Sequence, residues 1–122
     1  MEDWTVLLVD DEEEFISALA ERLSFRGIRA RTATDGEQAL TAIEQDPPQV
    51  VVLDLMMPGM SGVDVLQQIR RTHPDIKVIL LTGHGSTREG MEGMRLGAFD
   101  YLMKPLSIEE LIEKLRIAVA SS

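Results

Sequence analysis

Val50-Val51-Val52-Leu53-Asp54 is a run of four aliphatic residues, three of them β-branched, that ends on a carboxylate. A short apolar run of this kind, bounded by Pro47-Pro48 before it and by Pro58-Gly59 after it, reads as a strand buried on both faces. Burial on both faces belongs to a parallel sheet, and parallel strands need crossover segments between them. The chain supplies both parts. Further β-rich runs stand at Thr5–Val9, Ile28–Thr32 and Val78–Leu81, with a shorter one around Tyr101–Met103, and stretches of helical spacing separate them.

The first helix is expected from about Glu12 to Arg26, with Phe15, Ile16, Leu19 and Leu23 on one face and Gly27 as its stop. A second runs from near Gly36 to Glu44 on Ala39, Leu40 and Ile43, ended by Pro47-Pro48. The third follows Gly62 with Val65, Leu66 and Ile69 and stops before His73-Pro74. The fourth spans roughly Ser86 to Leu96 and contains Gly90 and Gly93. Each interior glycine weakens a helix by about 1 kcal/mol relative to alanine, so this helix is expected to be soft. The fifth opens with Ser107-Ile108-Glu109-Glu110, a capping-box pattern, and continues through Leu111, Ile112, Leu115 and Val119. Five strand-helix units in strict alternation predict one α/β domain over residues 1–122, a doubly wound parallel sheet with helices on both faces and no effector domain within the chain.

Composition excludes several classes of function. The 122 residues carry 21 acidic against 12 basic side chains, a formal net charge of −9, which repels nucleic-acid phosphates and anionic lipid alike. No direct nucleic-acid binding is expected. Zero cysteines rule out a disulfide framework, a thiol nucleophile and an iron–sulfur centre. The apolar runs are too short to span a membrane and Met-Glu-Asp-Trp is not the start of a signal peptide, so a cytoplasmic protein is expected.

Open α/β sheets bind ligands beyond the carboxyl ends of their strands. At those ends stand Asp10-Asp11, Asp54, Thr82 and Lys104. If the strands take the flavodoxin-like order 2-1-3-4-5, runs one, three, four and five are successive neighbours about 4.8 Å apart. Three carboxylates then face one another, with a hydroxyl and a lysine on the far flank. Packed carboxylates raise one another's pKa unless a cation neutralises them. A hard divalent ion suits the set, Mg2+ with Mn2+ as a substitute. A carboxylate can also attack phosphorus, and Lys104 and Thr82 would meet the charge of the transferred group. Duller readings exist for each residue. Asp10-Asp11 continues into Glu12-Glu13-Glu14, an acidic first turn of a helix; that explains the glutamates better than the aspartates. Tyr101 could be an edge-strand packing residue, and His73 belongs to a His-Pro turn.

Four segments carry a resemblance: Val6-Leu7-Leu8-Val9-Asp10-Asp11, Val52-Leu53-Asp54-Leu55-Met56-Met57-Pro58-Gly59-Met60-Ser61-Gly62, Leu80-Leu81-Thr82-Gly83, and Gly97-Ala98-Phe99-Asp100-Tyr101-Leu102-Met103-Lys104-Pro105. In this order and spacing the chain resembles the receiver domain of bacterial two-component response regulators. The resemblance implies that Asp54 is the phosphoacceptor, supplied by a sensor histidine kinase or phosphotransfer protein. It implies that Asp11, Asp54 and the Met56 backbone carbonyl ligate Mg2+, with Asp10 acting through metal-bound water. Thr82 and Lys104 would bind the phosphoryl group, and the Lys104-Pro105 bond would be cis. Thr82 and Tyr101 would form a switch that remodels the face of helix four, strand five and helix five, where an effector domain, a downstream protein or a phosphorylation-dependent second copy docks. Met56 and His84 would tune dephosphorylation, an apolar Met56 in the direction of slow loss. Two other readings remain: a Mg2+-dependent phosphohydrolase with an aspartyl nucleophile, for which so short a chain shows no substrate-enclosing cap, and a binding module with a dead site, against which the intact set argues.

Overall fold

The computed structural model describes residues 3–83 and 87–121. Five strands alternate with five helices: β1 (Thr5–Val9), α1 (Glu13–Ser24), β2 (Arg29–Ala33), α2 (Gly36–Gln45), β3 (Val50–Asp54), α3 (Gly62–Thr72), β4 (Lys77–Thr82), α4 (Thr87–Arg95), β5 (Asp100–Met103) and α5 (Ile108–Ala120). All strand pairs are parallel and the order is β2-β1-β3-β4-β5. The strand that opened the sequence reading is the central one, buried along its whole length. Apart from Thr5 at the start of β1, the exposed strand positions fall on the edge strands β2 and β5, in keeping with the weaker apolar character of their sequences.

Side chains alternate across the sheet and divide the core in two. Leu7, Val9, Val51, Leu53, Val78 and Leu80 meet Ala39 and Ile43 of α2 and Val65, Leu66 and Ile69 of α3. The intervening residues, Val6, Leu8, Val50, Val52, Ile79 and Leu81, meet Ile16, Leu19 and Leu23 of α1 and Ile108, Leu111 and Leu115 of α5. Every strand of the sheet centre is therefore covered on both sides, which is why its sequence shows no polar alternation.

Helix ends depart from expectation in small ways. α1 stops at Ser24 because the chain tightens into three-residue turns, Arg26 N–H to Leu23 O at 2.9 Å and Gly27 N–H to Ser24 O at 3.0 Å. The capping box of α5 is half formed. Ser107 Oγ accepts from Glu110 N–H at 3.3 Å, no return bond from Ser107 N–H to the Glu110 carboxylate forms among the described residues, and the serine hydroxyl donates to Glu109 Oε1 at 3.4 Å. Asp35 and Ser61 cap α2 and α3 in the same one-sided manner.

Gly90 and Gly93 have a different physical reason from the softness expected of α4. Both face β4. A Cβ on Gly93 would lie 2.3 Å from Leu80 Cδ1, and one on Gly90 would lie 3.3 Å from the Thr82 methyl. The helix lies close against the sheet because it has no side chains at these two positions. Gly93→Ala is accordingly expected to destabilise the domain by about 1–2 kcal/mol, because overpacking a fully buried leucine outweighs the gain in helix propensity. Urea unfolding of Gly93→Ala beside the milder Gly90→Ala checks this. A Gly93→Ala protein as stable as the parent would show that the close approach is not what the glycine serves.

Candidate functional site

β1 and β3 run side by side with Val9 opposite Leu53, so the residues that follow them, Asp10 and Asp54, emerge together at the same edge. Carboxylate oxygens of Asp10, Asp11 and Asp54 lie within 4.8 Å of one another. Asp10 is fully buried and Asp54 is 4% exposed, while Asp11 faces solvent. Local bonds fix the two buried groups. Asp10 Oδ1 accepts Glu12 N–H at 2.9 Å, and Asp54 Oδ1 accepts Met56 N–H at 3.3 Å. Gly62 closes the turn after β3: a Cβ there would meet the Asp54 carbonyl oxygen at 2.4 Å and Leu55 Cα at 2.6 Å, so only glycine lets α3 start against the end of the central strand.

Lys104 Nζ completes the cluster from β5. The backbone of Lys104 donates to Thr82 O at 2.9 Å, and from there the side chain reaches across the strand ends to Asp10 Oδ2 at 2.8 Å and Glu12 Oε1 at 3.0 Å. The ammonium also sits 4.8 Å from the centroid of the Phe15 ring, within cation–π range. It does not stay on the far flank where strand order alone would leave it. Glu12 and Phe15 are the residues the sequence reading did not place in the site. A charged helix N-terminus and a helix-face aromatic account for both without it, and only the fold brings them to a lysine ninety-two positions away from Glu12.

Burial pushes the Asp54 carboxyl up to about 6, with the charge of Asp10 adding to the rise and Lys104 and the Met56 N–H opposing it. Mutual repulsion of the carboxylates, the cause anticipated from sequence, ranks behind desolvation. For Lys104, burial acts to lower the pKa, and the hydrogen bonds it donates to Asp10 and Glu12 together with the charge of Asp54 overcome it, so the net direction is upward.

Thr82 ends β4 beside the acidic pair, 4% exposed, its hydroxyl donating to Leu102 O at 3.3 Å. Tyr101 lies in β5, is not part of the acidic cluster, and is 46% exposed. The Met56 side chain is exposed at the rim, and the Lys104-Pro105 peptide is cis. His84 lies outside the described residues. No helix among the described residues is long and apolar enough to cross a membrane.

A parallel sheet in the order β2-β1-β3-β4-β5 whose carboxyl edge gathers acidic side chains and a lysine is a flavodoxin-like α/β domain with its candidate site at the strand ends. The chain belongs to the response regulator receiver domain family, whose pattern matches residues 6–116. It is 41% identical over 111 residues to the response regulator MprA of Mycolicibacterium vanbaalenii, covering 91% of this chain and 48% of that protein. It is 42% identical over 112 residues to the "Probable transcriptional regulatory protein TcrX" of Mycobacterium tuberculosis, covering 92% and 48%. The chain thus spans about half the length of the curated relatives it matches. Among solved structures, the receiver domain of NtrX from Brucella abortus superposes with a TM-score of 0.91 at 34% identity, covering 96% of this chain and 99% of that one.

The raised Asp54 pKa has a signed consequence for stability. An acid at about 6 in the fold and near 3.8 in the unfolded chain takes up protons on folding between those values, so stability falls as pH rises through that window. Above it the buried charge costs on the order of 2–3 kcal/mol. Asp54→Asn is expected to recover that amount by urea unfolding in EDTA at about pH 7.5, the gain shrinking toward zero near pH 4. An equal gain at both pH values would exclude the buried charge as its source.

Proposed function

We propose that the domain is the phosphorylation switch of a two-component pathway, in which Asp54 accepts a phosphoryl group from a phosphohistidine on a sensor histidine kinase or phosphotransfer protein. The observation that carries this reading is a buried carboxylate at the end of the central strand, grouped with two others within 4.8 Å and with a lysine held at the same edge. An Asp54 oxygen forms the new O–P bond as the donor's N–P bond breaks, and the imidazole leaves with the bonding electron pair and takes up a proton. With its pKa near 6, Asp54 is ionised at neutral pH and more basic than an ordinary aspartate. The Thr82 hydroxyl exchanges the Leu102 carbonyl for a phosphoryl oxygen, and Lys104 pairs with another.

The donor set among the described residues is hard, three carboxylates, which fits Mg2+ with Mn2+ as a substitute. Asp11, Asp54 and the Met56 backbone carbonyl would hold the ion directly and Asp10 through water. When bound, it supplies positive charge against the carboxylates and the phosphoryl oxygens. Met56 offers the site rim only a thioether, with nothing to orient an attacking water, so loss of the phosphoryl group is slow. The acyl phosphate is self-limiting chemistry in a signalling switch, not turnover of a substrate.

Output passes through the α4-β5-α5 face. Met91, Met94, Tyr101 and Met103 stand exposed there, and Tyr101 turns inward when Thr82 moves toward the phosphoryl group. That shift changes affinity for an effector domain, a downstream protein or a second copy, by no more than the difference in interaction energy between the two states. The −9 net charge argues against this domain binding nucleic acid itself. The domain acts in the cytoplasm, where kinase phosphohistidines form.

Incubation with acetyl phosphate and Mg2+ followed by intact mass is expected to give one phosphoryl adduct, absent in Asp54→Asn and absent in EDTA. Persistent release of phosphate without an adduct would point to a phosphohydrolase instead, and an adduct that survives Asp54→Asn would remove Asp54 from the acceptor role.

A further inference from the structure

Glu12 occupies the N-cap position of α1, yet its side chain makes no capping hydrogen bond. The position forgoes the stabilisation that Ser, Asp or Asn would bring there. Its carboxylate instead takes Lys104 Nζ at 3.0 Å, and this is the side chain's one hydrogen bond among the described residues. The Glu12 backbone is pinned in turn, its N–H held by Asp10 Oδ1 at 2.9 Å. An ammonium has three donors. In Lys104 they face Asp10, Glu12 and the Phe15 ring, and its described hydrogen bonds include none to Asp54.

We propose that Glu12 is a latch: in the unphosphorylated domain it holds the Lys104 ammonium on the α1 side of the site, and phosphoryl transfer to Asp54 proceeds when the Glu12–Lys104 pair opens. This rests on the reading of Asp54 as acceptor and Lys104 as partner of the phosphoryl group. Asp10 also holds Lys104, but Asp10 is needed at the acidic cluster itself. Glu12 lies outside that cluster, with its side chain 65% exposed. Glu12 is thus a positioning residue that acts through Lys104. An exposed pair is worth little, so opening it is cheap and the latch modulates the rate by about two- to fivefold.

Glu12→Gln removes the charge, whereas Glu12→Asp keeps the charge on a side chain one methylene shorter, which draws it back from the 3.0 Å contact. Glu13→Gln removes an equivalent exposed charge that has no ion pair with Lys104 among the described residues. Two readouts separate a latch from a general charge effect. The first is the rate of adduct formation with acetyl phosphate and Mg2+. The second needs no metal: acylation of lysines in EDTA by an amine-reactive ester, with Lys77 and Lys114, the other two of the three lysines, as internal references. Both Glu12 variants are expected to be phosphorylated about two- to fivefold faster and to acylate faster at Lys104, with Glu13→Gln changing neither. Equal acceleration in Glu13→Gln, or a slower rate in either Glu12 variant, would overturn the latch. A parent that forms the adduct while Lys104 acylation is the same in all proteins would overturn the latch and spare the acceptor. A parent that forms no adduct would overturn the acceptor reading and the latch with it.

Discussion

Asp54 is 4% exposed at the carboxyl end of the strand that forms the middle of the sheet, and the rest of the site is arranged around keeping a charge there. A buried carboxylate is favoured in its neutral form unless hydrogen bonds or opposite charge compensate. Compensation is partial: one backbone N–H from Met56 and the field of Lys104 pull its pKa down, while burial and Asp10 push harder in the other direction. The balance leaves Asp54 poised near 6. A structural carboxylate would have been paired directly with a cation. This one is left under-compensated, a feature that makes sense for a group whose charge is to be met by something that arrives.

The sheet order converts that local tension into a shared one. Because β1 is the neighbour of β3, the next strand end to emerge carries Asp10, itself fully buried, and Lys104 is drawn past the ends of β4 and β3 to satisfy it. The lysine thereby becomes the common partner of groups with different interests: Asp10 at the cluster, Glu12 outside it, and Asp54 at longer range. One ammonium cannot serve all of them at short distance, so the site holds competing arrangements separated by the cost of exchanging one carboxylate for another.

Much of this was legible in the order of residues. The all-apolar Val50–Leu53 run identified a doubly buried strand, and alternation of strands with helices required crossovers, leaving few topologies to choose from. Asp10, Asp11 and Asp54 were legible as a cluster because Asp10-Asp11 follows β1, Asp54 ends β3, and strand ends share an edge. What stayed illegible depended on side-chain reach. Glu12 read as one more acid in an acidic helix start, since nothing local reveals that Lys104 comes within 3.0 Å of it. Glycine in α4 read as weakness, because propensity is a property of the helix alone while the distance from Gly93 to Leu80 is a property of the packed pair. Even the Ser107 box formed only on one side: Ser107 Oγ takes the Glu110 N–H, while no bond from the Ser107 N–H to the Glu110 carboxylate forms among the described residues.

The same glycines tie the site to the surface. Gly90 brings the α4 backbone so near Thr82 that a single added carbon would stand 3.3 Å from its methyl, and on its other side the Thr82 hydroxyl bonds the carbonyl of Leu102 in β5. Thr82 is thus placed between α4 and β5, the two elements that carry the exposed Met91, Met94, Tyr101 and Met103. In the proposed switch, a threonine drawn toward Asp54 gives up the Leu102 bond and opens space beneath Gly90 at once. β5 loses a hydrogen bond and α4 gains room in the same step. Packed interiors respond to such a change by moving between discrete arrangements, not by stretching. A displacement of one side chain can therefore bias the whole face, and the absence of a Cβ at Gly90 makes the coupling direct, since no intervening side chain can absorb the motion.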